Sequence, residues 1–209
     1  MFENETERFY ICSMETKGER TRQFIIETAA PLLNKNGMAG TAISDIMAAT
    51  KLAKGGIYTN FESKDEICLE SFRFFAKEIS AGLDQALAAK ESPKEKLLAC
   101  IDFYIENFIE NYPGGCPLLN FGTEADDTNP VLASRVADAV NAIQARFYGL
   151  IYAGVAAGEF KASVRAETLA TVMFSAIEGA MFVSHIKKEN SQLQTVVDYL
   201  KMLIEDISI

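Results

Sequence analysis

A segment near residue 55 concentrates side chains that are suited to contact nucleic acid. It runs from Lys54 to Asn60 with the sequence KGGIYTN, and Lys64 follows shortly after it. Lysine ammonium groups and tyrosine hydroxyls donate hydrogen bonds to phosphate oxygens, and Lys and Asn side chains also match the major-groove edges of guanine and adenine. The residue types therefore predict a surface that binds a polyanion.

Two short helices flank a turn at this segment. Apolar spacing predicts one helix over Ser44–Thr50 and a second over Lys54–Asn60, separated by Lys51–Ala53. The apolar positions that would pack these helices together are Ile46, Ala49, Leu52, Ile57 and Phe61. This arrangement has the spacing of a helix-turn-helix, in which the second helix enters the major groove of DNA.

The stretch KGGIYTNFESK, residues 54–64, resembles the recognition-helix signature of the TetR/AcrR family of bacterial transcriptional regulators. The likeness is strong over residues 17–70 and extends more generally to GGCPLLN at 114–120, EADD at 124–127 and EGA at 178–180. Lys51 stands where this family usually has Gly, and Ala53 stands where it usually has a Ser or Thr cap. The missing cap and the two consecutive glycines weaken the second helix, and the departures bear on the affinity for DNA rather than on the family.

The residues expected to contact DNA are Ser44, Lys54, Gly55, Gly56, Tyr58, Thr59, Asn60 and Lys64. Tyr58 and Lys64 would bind phosphates, and Lys64 also lies at a helix N-terminus, where anions are favoured. Ser44 and Thr59 would act as neutral phosphate donors, and the two glycines allow the backbone to approach DNA closely. Lys54 and Asn60 are the candidates for contacts with bases. The residues expected to extend this surface from the first helix are Lys17, Arg20 and Arg22.

Charge is distributed unevenly along the 209 residues. The chain has a net charge of −9, which excludes a uniformly basic nucleic-acid-binding protein. Met14–Lys64 nevertheless carries seven Lys and Arg against five Asp and Glu, so the acidic excess lies elsewhere. The asymmetry favours a small DNA-binding head on an acidic body. The four cysteines form no CxxC pair, and we expect neither a metal nor a cofactor.

Periodicity predicts an all-α protein in which an N-terminal three-helix head precedes a helical body. Besides the two short helices above, helices are predicted over Lys17–Asn36, from Ser63–Glu66 onward, over Leu97–Asn111, Pro130–Ala157, Glu167–Lys188 and Gln192–Ile207, with a short apolar piece over Leu118–Ala125. We expect residues 1–16 to be a poorly ordered acidic extension, 17–63 the DNA-binding domain, and 64–209 the effector-binding and dimerisation domain. Ala166–Ile186 is long enough to span a membrane, but Glu167, Glu178 and His185 favour a buried helix.

The family resemblance implies a homodimer formed through the last two helices, and a small-molecule effector pocket in the body. The predicted partner face of the Glu167–Lys188 helix comprises Leu169, Val172, Met173, Ala176, Ile177, Ala180, Val183 and Ser184, joined by Val196, Tyr199, Leu200 and Leu203 of the last helix. Pocket candidates are Phe103, Tyr104, Phe108, Cys116, Asn120, Phe121, Phe147, Phe174, Glu178 and Phe182. The aromatic content favours a small hydrophobic effector. Two-fold symmetry would match a palindromic operator in double-stranded DNA.

The prediction is therefore a cytoplasmic, ligand-responsive transcriptional repressor, with no export signal visible in Met1–Ser13. Two alternatives stay open. One is a redox or electrophile sensor that uses Cys116, and the other is a helical ligand-binding protein whose DNA-binding head has decayed. No GxSxG, HExxH, Walker or Rossmann motif is present, so an enzyme is not predicted.

Overall fold

The computed structural model describes residues 16–112 and 114–209, including their side chains except those of 108–111. Within this range the regular secondary structure is helical, with one isolated β-bridge between Phe160 and Ser208, which confirms the all-α prediction. The helices are α1 (Lys17–Asn36), α2 (Ile43–Thr50), α3 (Lys54–Tyr58), α4 (Lys64–Ala88), α5 (Pro93–Asn111), α6 (Pro117–Ala125), α7 (Pro130–Ala156), α8 (Ala166–Lys187) and α9 (Ser191–Ile207). The expectation for residues 1–15 lies outside the described residues, whereas Thr16 caps α1.

Helices α1 to α3 form the head around a small apolar core. Ile25 of α1, Ile46 of α2 and Ile57 of α3 are fully buried, and Phe61 just after α3 is nearly so. The third helix has only five residues, two of them glycines. A helix this short is not stable in isolation. Packing of Ile57 and Phe61 against the neighbouring helices therefore supplies most of its order.

Helices α4 to α9 form the body, and α4 also packs against α1. One continuous hydrophobic core joins the two parts, because the buried residues of α1 and α4 meet those of α5 to α9. Among the described residues, α8 is the one helix long and apolar enough to cross a membrane. It packs against both α7 and α9 and carries seven buried residues, as expected for a core helix.

Local capping signals define several helix starts. The side chains of Thr16 and Ser92 each accept a hydrogen bond from the backbone N–H of the glutamate three residues on, and the carboxylates of Glu19 and Glu95 accept one from the cap backbone N–H. Asn129 caps α7 ahead of Pro130, as the sequence predicts. These reciprocal bonds satisfy N–H groups that lack partners inside the helix.

Ser63 and Glu66 at the start of α4 form only half of a capping box. Ser63 Oγ accepts the Glu66 N–H at 3.1 Å, but the Glu66 carboxylate accepts the N–H of Glu62 at 2.7 Å and pairs with Arg22 at 2.8 Å. The Glu62 backbone bond, with help from Arg22, lowers the pKa of Glu66. The carboxylate is drawn away from the cap because Arg22 of the head offers it a charged partner.

The helix-turn-helix places Lys51 in the left-handed region, with φ 61° and ψ 20°. A Cβ costs about 1–2 kcal/mol in this conformation, whereas glycine adopts it freely. Lys51→Gly should therefore raise the free energy of unfolding. We expect a net gain of about 0.5–1 kcal/mol, because glycine also increases the conformational entropy of the unfolded chain, which offsets part of the relieved strain. Urea unfolding followed by circular dichroism measures the change. Lys51→Ala is the control, since it removes the charge but keeps the Cβ; equal stabilisation by both variants would contradict the backbone argument.

Candidate DNA-binding surface and effector cavity

The predicted DNA-contacting side chains lie at the surface of the head. Ser44, Lys54, Gly55 and Thr59 are exposed, Tyr58 is 41% exposed, and Gly56, Asn60 and Lys64 are partly exposed. The Lys54 ammonium lies 5.8 Å from the centroid of the Tyr58 ring. This arrangement presents hydroxyl donors and lysine charges on an exposed part of α2, α3 and the start of α4.

Two members of this surface bond to their own helix. Thr59 Oγ1 donates to the carbonyl of Gly55 at 2.7 Å, and the Asn60 amide donates to the carbonyl of Gly56 at 2.8 Å. The Thr59 hydroxyl proton and one amide N–H of Asn60 are thus engaged within α3. The side-chain donors that remain at the surface are chiefly those of Ser44, Lys54, Tyr58 and Lys64.

Arg22 does not reach outward as the sequence predicts. Its guanidinium stacks 4.2 Å from the centroid of the Phe61 ring, donates to the carbonyl of Asn60 and pairs with Glu66. The arginine therefore fastens the end of α3 to α1 and α4. Sequence spacing gives no signal for this role, since its partners lie 38 and 44 residues away. Lys17 and Arg20 are exposed on the first turn of α1.

A small cavity of about 20 Å³ lies in the body. It has room for about one water molecule without rearrangement. Its lining is Ile79, Phe103, Tyr104, Asn107, Tyr112, Cys116, Pro117, Leu118, Ile143, Glu178 and Met181. Four of the predicted pocket residues meet here, namely Phe103, Tyr104, Cys116 and Glu178.

The polar groups of the cavity are unusual for an apolar interior. Cys116 Sγ donates to Glu178 Oε1 across 3.4 Å. Burial raises the pKa of Glu178 to about 7, opposed by the bond from Cys116. Burial and the neighbouring Glu178 raise the pKa of Cys116 well above its usual value. The hydroxyl of Tyr104 is buried without a hydrogen-bond partner, so it is available to a molecule that enters.

Several predicted pocket residues lie elsewhere. Phe147 is fully buried and stacks against Tyr104 with centroids 6.4 Å apart, while Phe174 is a buried residue of α8. Phe121 packs against Phe72 and Phe75 in the core. The side chain of Phe108 lies outside the described residues. These aromatics build the protein core around the cavity, because a 3.6-residue period marks buried positions without distinguishing a filled core from a pocket.

Phe182 is 51% exposed on α8 rather than in the cavity. Successive helical residues turn by about 100°, so Phe182 lies about 40° past Glu178, on the side of Gly179 and Ile186. Met181 lies about 60° to the other side and lines the cavity. The predicted partner face was also partly wrong, because Met173, Ile177 and Ala180 are buried inside the subunit.

The cavity residues that sequence reasoning missed are Ile79, Asn107, Tyr112, Pro117, Leu118, Ile143 and Met181. They come from α4, α5, α6, α7 and α8, so no single helix pattern identifies them. Tyr112, at the end of α5, carried the clearest available signal, since it directly precedes the PGGCP segment. Within the described residues no group of three His, Cys, Asp or Glu is arranged to hold a metal ion.

A carboxylate from the body holds the turn between α1 and α2 of the head. Glu124 of α6 accepts the N–H groups of Met38 and Ala39, each at 2.9 Å. Gly37 has a φ of 80°, and a Cβ there would lie 2.6 Å from the Glu124 carboxylate. Glycine is thus needed both for the turn and for the approach of the carboxylate.

Asn120 forms a second link between body and head. Its amide donates to the carbonyls of Asn34 and Gly114 at 3.0 and 2.8 Å, and Asn34 donates to the carbonyl of Gly115 at 2.9 Å. The predicted pocket residue Asn120 therefore serves this link, and it does not line the cavity. The 114–116 segment touches α1 on one side and carries Cys116 into the cavity on the other.

An exposed helix-turn-helix with outward Lys and Tyr side chains, joined to a helical body that encloses a cavity, defines a DNA-binding regulator with a sensory body. Residues 25–70 match the family described as bacterial regulatory proteins, tetR family, and residues 93–200 match the tetracyclin repressor-like C-terminal domain. The chain belongs to the TetR family of transcriptional regulators.

Individual relatives agree with this assignment. A TetR-family regulator from Chloroflexus aurantiacus J-10-FL is 37% identical with a TM-score of 0.86, covering 92% of this chain and 98% of its own. A second, from Cytophaga hutchinsonii, is 33% identical with a TM-score of 0.86, covering 94% and 99%. The HTH-type transcriptional repressor DhaR of Mycobacterium sp. (strain GP1) is 24% identical over 82% of this chain and 86% of its own.

The Glu124 link yields a direct prediction. Glu124→Ala removes the acceptor of two backbone N–H groups, and bonds to a charged group contribute about 1.5–3 kcal/mol. We expect amide hydrogen exchange at Met38 and Ala39 to accelerate by about tenfold or more, since 1.4 kcal/mol corresponds to a factor of ten. Glu124→Gln keeps one acceptor oxygen and should give an intermediate rate. Unchanged exchange in Glu124→Ala would show that the turn is held without the carboxylate.

Proposed function

We propose that the protein is a transcriptional repressor that binds a palindromic operator as a homodimer and leaves it when a small molecule enters the body cavity. The observation that carries the proposal is the Gly114–Cys116 segment, which contacts the cavity through Cys116 and the head through Asn34. The domain division at residue 64 and the cytoplasmic location are part of the same proposal.

The surface of the head supports DNA binding through phosphates and the major groove. Tyr58 and Lys64 are assigned to phosphates, and Lys54 to a base edge or a neighbouring phosphate. Ser44 and Thr59 supplement the phosphate contacts, and Asn60 reads a base after releasing its bond to Gly56. Two heads of a symmetric dimer engage half-sites about one helical turn of DNA apart, or a multiple of it.

Release requires that the effector favour a different arrangement of the heads. A molecule that widens the cavity displaces Cys116 and the adjoining start of α6. Because Asn120 and Glu124 of α6 bind α1 and the turn after it, a shift of α6 moves the head. The distance between the two heads then no longer matches the distance between the half-sites, and the affinity for the operator falls.

The exposed apolar face of α8 and α9 supports the dimer. Val172, Phe182 and Ile186 of α8 and Tyr199 and Met202 of α9 are all more than half exposed. A Cβ at Gly179 would meet nothing within 4 Å, which leaves space for close approach of another helix. An apolar face of this kind on a soluble chain is typical of an interface.

The alternative of a thiol switch at Cys116 is not favoured by the chemistry. The thiolate is the reactive form of cysteine. Cys116 is 6% exposed, and burial next to Glu178 raises its pKa. Both effects suppress the thiolate, so the residue acts as a hydrogen-bond donor in the cavity.

Salt dependence tests the DNA contacts. An operator obtained by selection from a random duplex pool is titrated at several salt concentrations. Lys64→Ala should weaken binding and lower the salt slope by about one, because one phosphate contact is lost. Tyr58→Phe should weaken binding about tenfold or more without changing the slope, since a hydrogen bond to a charged phosphate contributes about 1.5–3 kcal/mol but the hydroxyl carries no charge.

Lys77→Ala is the matched control, because it removes the same charge from an exposed position farther along α4. Gly55→Ala separates stability from recognition: its Cβ meets no protein atom within 4 Å, so α3 should gain about 1 kcal/mol while DNA binding weakens. Selection of no preferred sequence would support the decayed-head alternative. Equal losses in Lys77→Ala and Lys64→Ala would contradict the assigned phosphate contact.

The dimer face is tested at Phe182. Phe182→Glu places a charge on an exposed apolar position, so it should shift the protein from dimer to monomer in analytical ultracentrifugation with its helical circular dichroism retained. Phe182→Tyr keeps the ring and should remain dimeric. A Phe182→Glu variant that stays dimeric would place the interface on another surface.

A further inference from the structure

The proposed effector cavity has a distinct charge character. Glu178 is the one ionisable carboxylate among its lining residues, and no Lys, Arg or His lines the part that the structure describes. An ionised carboxylate in an apolar interior is costly unless it is paired. The thiol of Cys116 gives it one hydrogen bond at 3.4 Å, which leaves its charge without a positive partner in the cavity.

Aromatic rings surround the same space. Phe103 and Tyr104 meet nearly at right angles, with centroids 5.6 Å apart and planes at 80°, and Tyr112 adds a third ring to the lining. The faces of such rings attract organic cations, and groups of rings form cages for quaternary ammonium ions. The unpartnered hydroxyl of Tyr104 adds a polar atom that is free to orient toward a ligand.

The outer face of the cavity wall is acidic as well. Phe103, Asn107 and Tyr112 line both the cavity and an open groove between α1, α4 and α5. That groove carries the carboxylates of Glu27 and Glu78, and no Lys or Arg lines its described part. A cation approaching through this groove meets negative charge first and aromatic rings next.

From this arrangement we propose that the effector is a lipophilic organic cation, an amine or quaternary ammonium with an apolar body. Its charge pairs with Glu178 and its body lies against Phe103, Tyr104 and Tyr112. This inference rests on the proposed function, since it names the ligand class of the same cavity. The cation replaces the missing counter-charge, which a neutral or anionic molecule cannot do.

The groups that face Glu178 determine how binding depends on pH. Tyr104 and Tyr112 of α5 and Cys116 before α6 are uncharged at neutral pH, because burial raises the pKa of all three. Ile79, Leu118, Ile143 and Met181 bring apolar contacts from α4, α6, α7 and α8. Arg146 of α7, whose charge acts on Tyr104, is already paired with Asp84. His185 of α8 lies close to Gly115 but does not line the cavity.

Glu178 is therefore the group whose proton a cation displaces. Its pKa of about 7 means that it is protonated below that pH and ionised above it. A permanent cation binds the ionised form, so its affinity should rise with pH and level off above 7. Below pH 7 the affinity falls by up to about tenfold for each pH unit, because binding must release one proton.

The test compares two probes of the same shape. Phenyltrimethylammonium carries a permanent charge, and tert-butylbenzene is its neutral counterpart. Calorimetric titration of the full-length protein without DNA at pH 6 and pH 8 should show at least tenfold tighter binding of the cation at pH 8, with most of that advantage lost at pH 6. Glu178→Gln should remove both the advantage and the pH dependence.

Glu167→Gln is the matched control, since it makes the same change at an exposed position on the first turn of α8. Equal or tighter binding of tert-butylbenzene, an affinity independent of pH, an unchanged Glu178→Gln variant, or binding of neither probe would each overturn the inference. Because the titration contains no DNA, these outcomes are separate from a failure of operator binding, which the Tyr58 and Lys64 variants measure.

Discussion

The attachment of the head to the body is the constraint on which the rest of the molecule depends. Two backbone N–H groups in the turn after α1 find their acceptor in Glu124, a side chain of α6. Asn120, one turn earlier on the same helix, bonds to the carbonyl of Asn34 near the end of α1. These bonds connect α6 to the last turn of α1 and to the turn after it, so in the proposed mechanism a shift of α6 would act on this end of the head.

The cavity lies on the other side of the same segment. Gly114 and Gly115 present their carbonyls to Asn120 and Asn34, whereas Cys116 turns its thiol to Glu178. A Cβ at Gly114 would lie 2.5 Å from the carbonyl oxygen of Asn34, so the backbones approach as closely as glycine allows. In such close packing, a shift on one side cannot be absorbed locally. Coupling between ligand and DNA thus has a short physical route through one turn of chain.

The elements that the sequence predicts well are those with local causes. The helix predicted from Pro130 begins there, because Asn129 caps it with a bond three residues on. The helix predicted from Leu97 begins earlier, at Pro93, because Ser92 caps it. The helix-turn-helix was predictable for the same reason. Arg22, Asn120 and Glu124 were assigned otherwise or not at all, because their partners lie 38 to 86 residues away. The cavity was predicted in part, since Glu178 stands out as a carboxylate in an apolar helix and does line the cavity. Phe182 lies one helical turn further on, where the helix surface is exposed, and it does not line the cavity.

The weakness of the recognition helix suits this arrangement. The N-cap residues of α2 and α3 are Ala42 and Ala53, whose side chains form no cap hydrogen bond. A Ser, Thr, Asp or Asn at such a position would contribute about 1 kcal/mol to helix stability. Order in α3 comes from Ile57 and Phe61 in the core and from Arg22, which stacks on Phe61 and binds the carbonyl of Asn60. Because α3 is ordered by its contacts with the neighbouring helices, its position depends on theirs. In the proposed mechanism, movement of α1 and α4 would therefore carry α3 with it, and a small displacement at the cavity would reach the candidate DNA-binding surface as a rigid shift rather than as local unfolding.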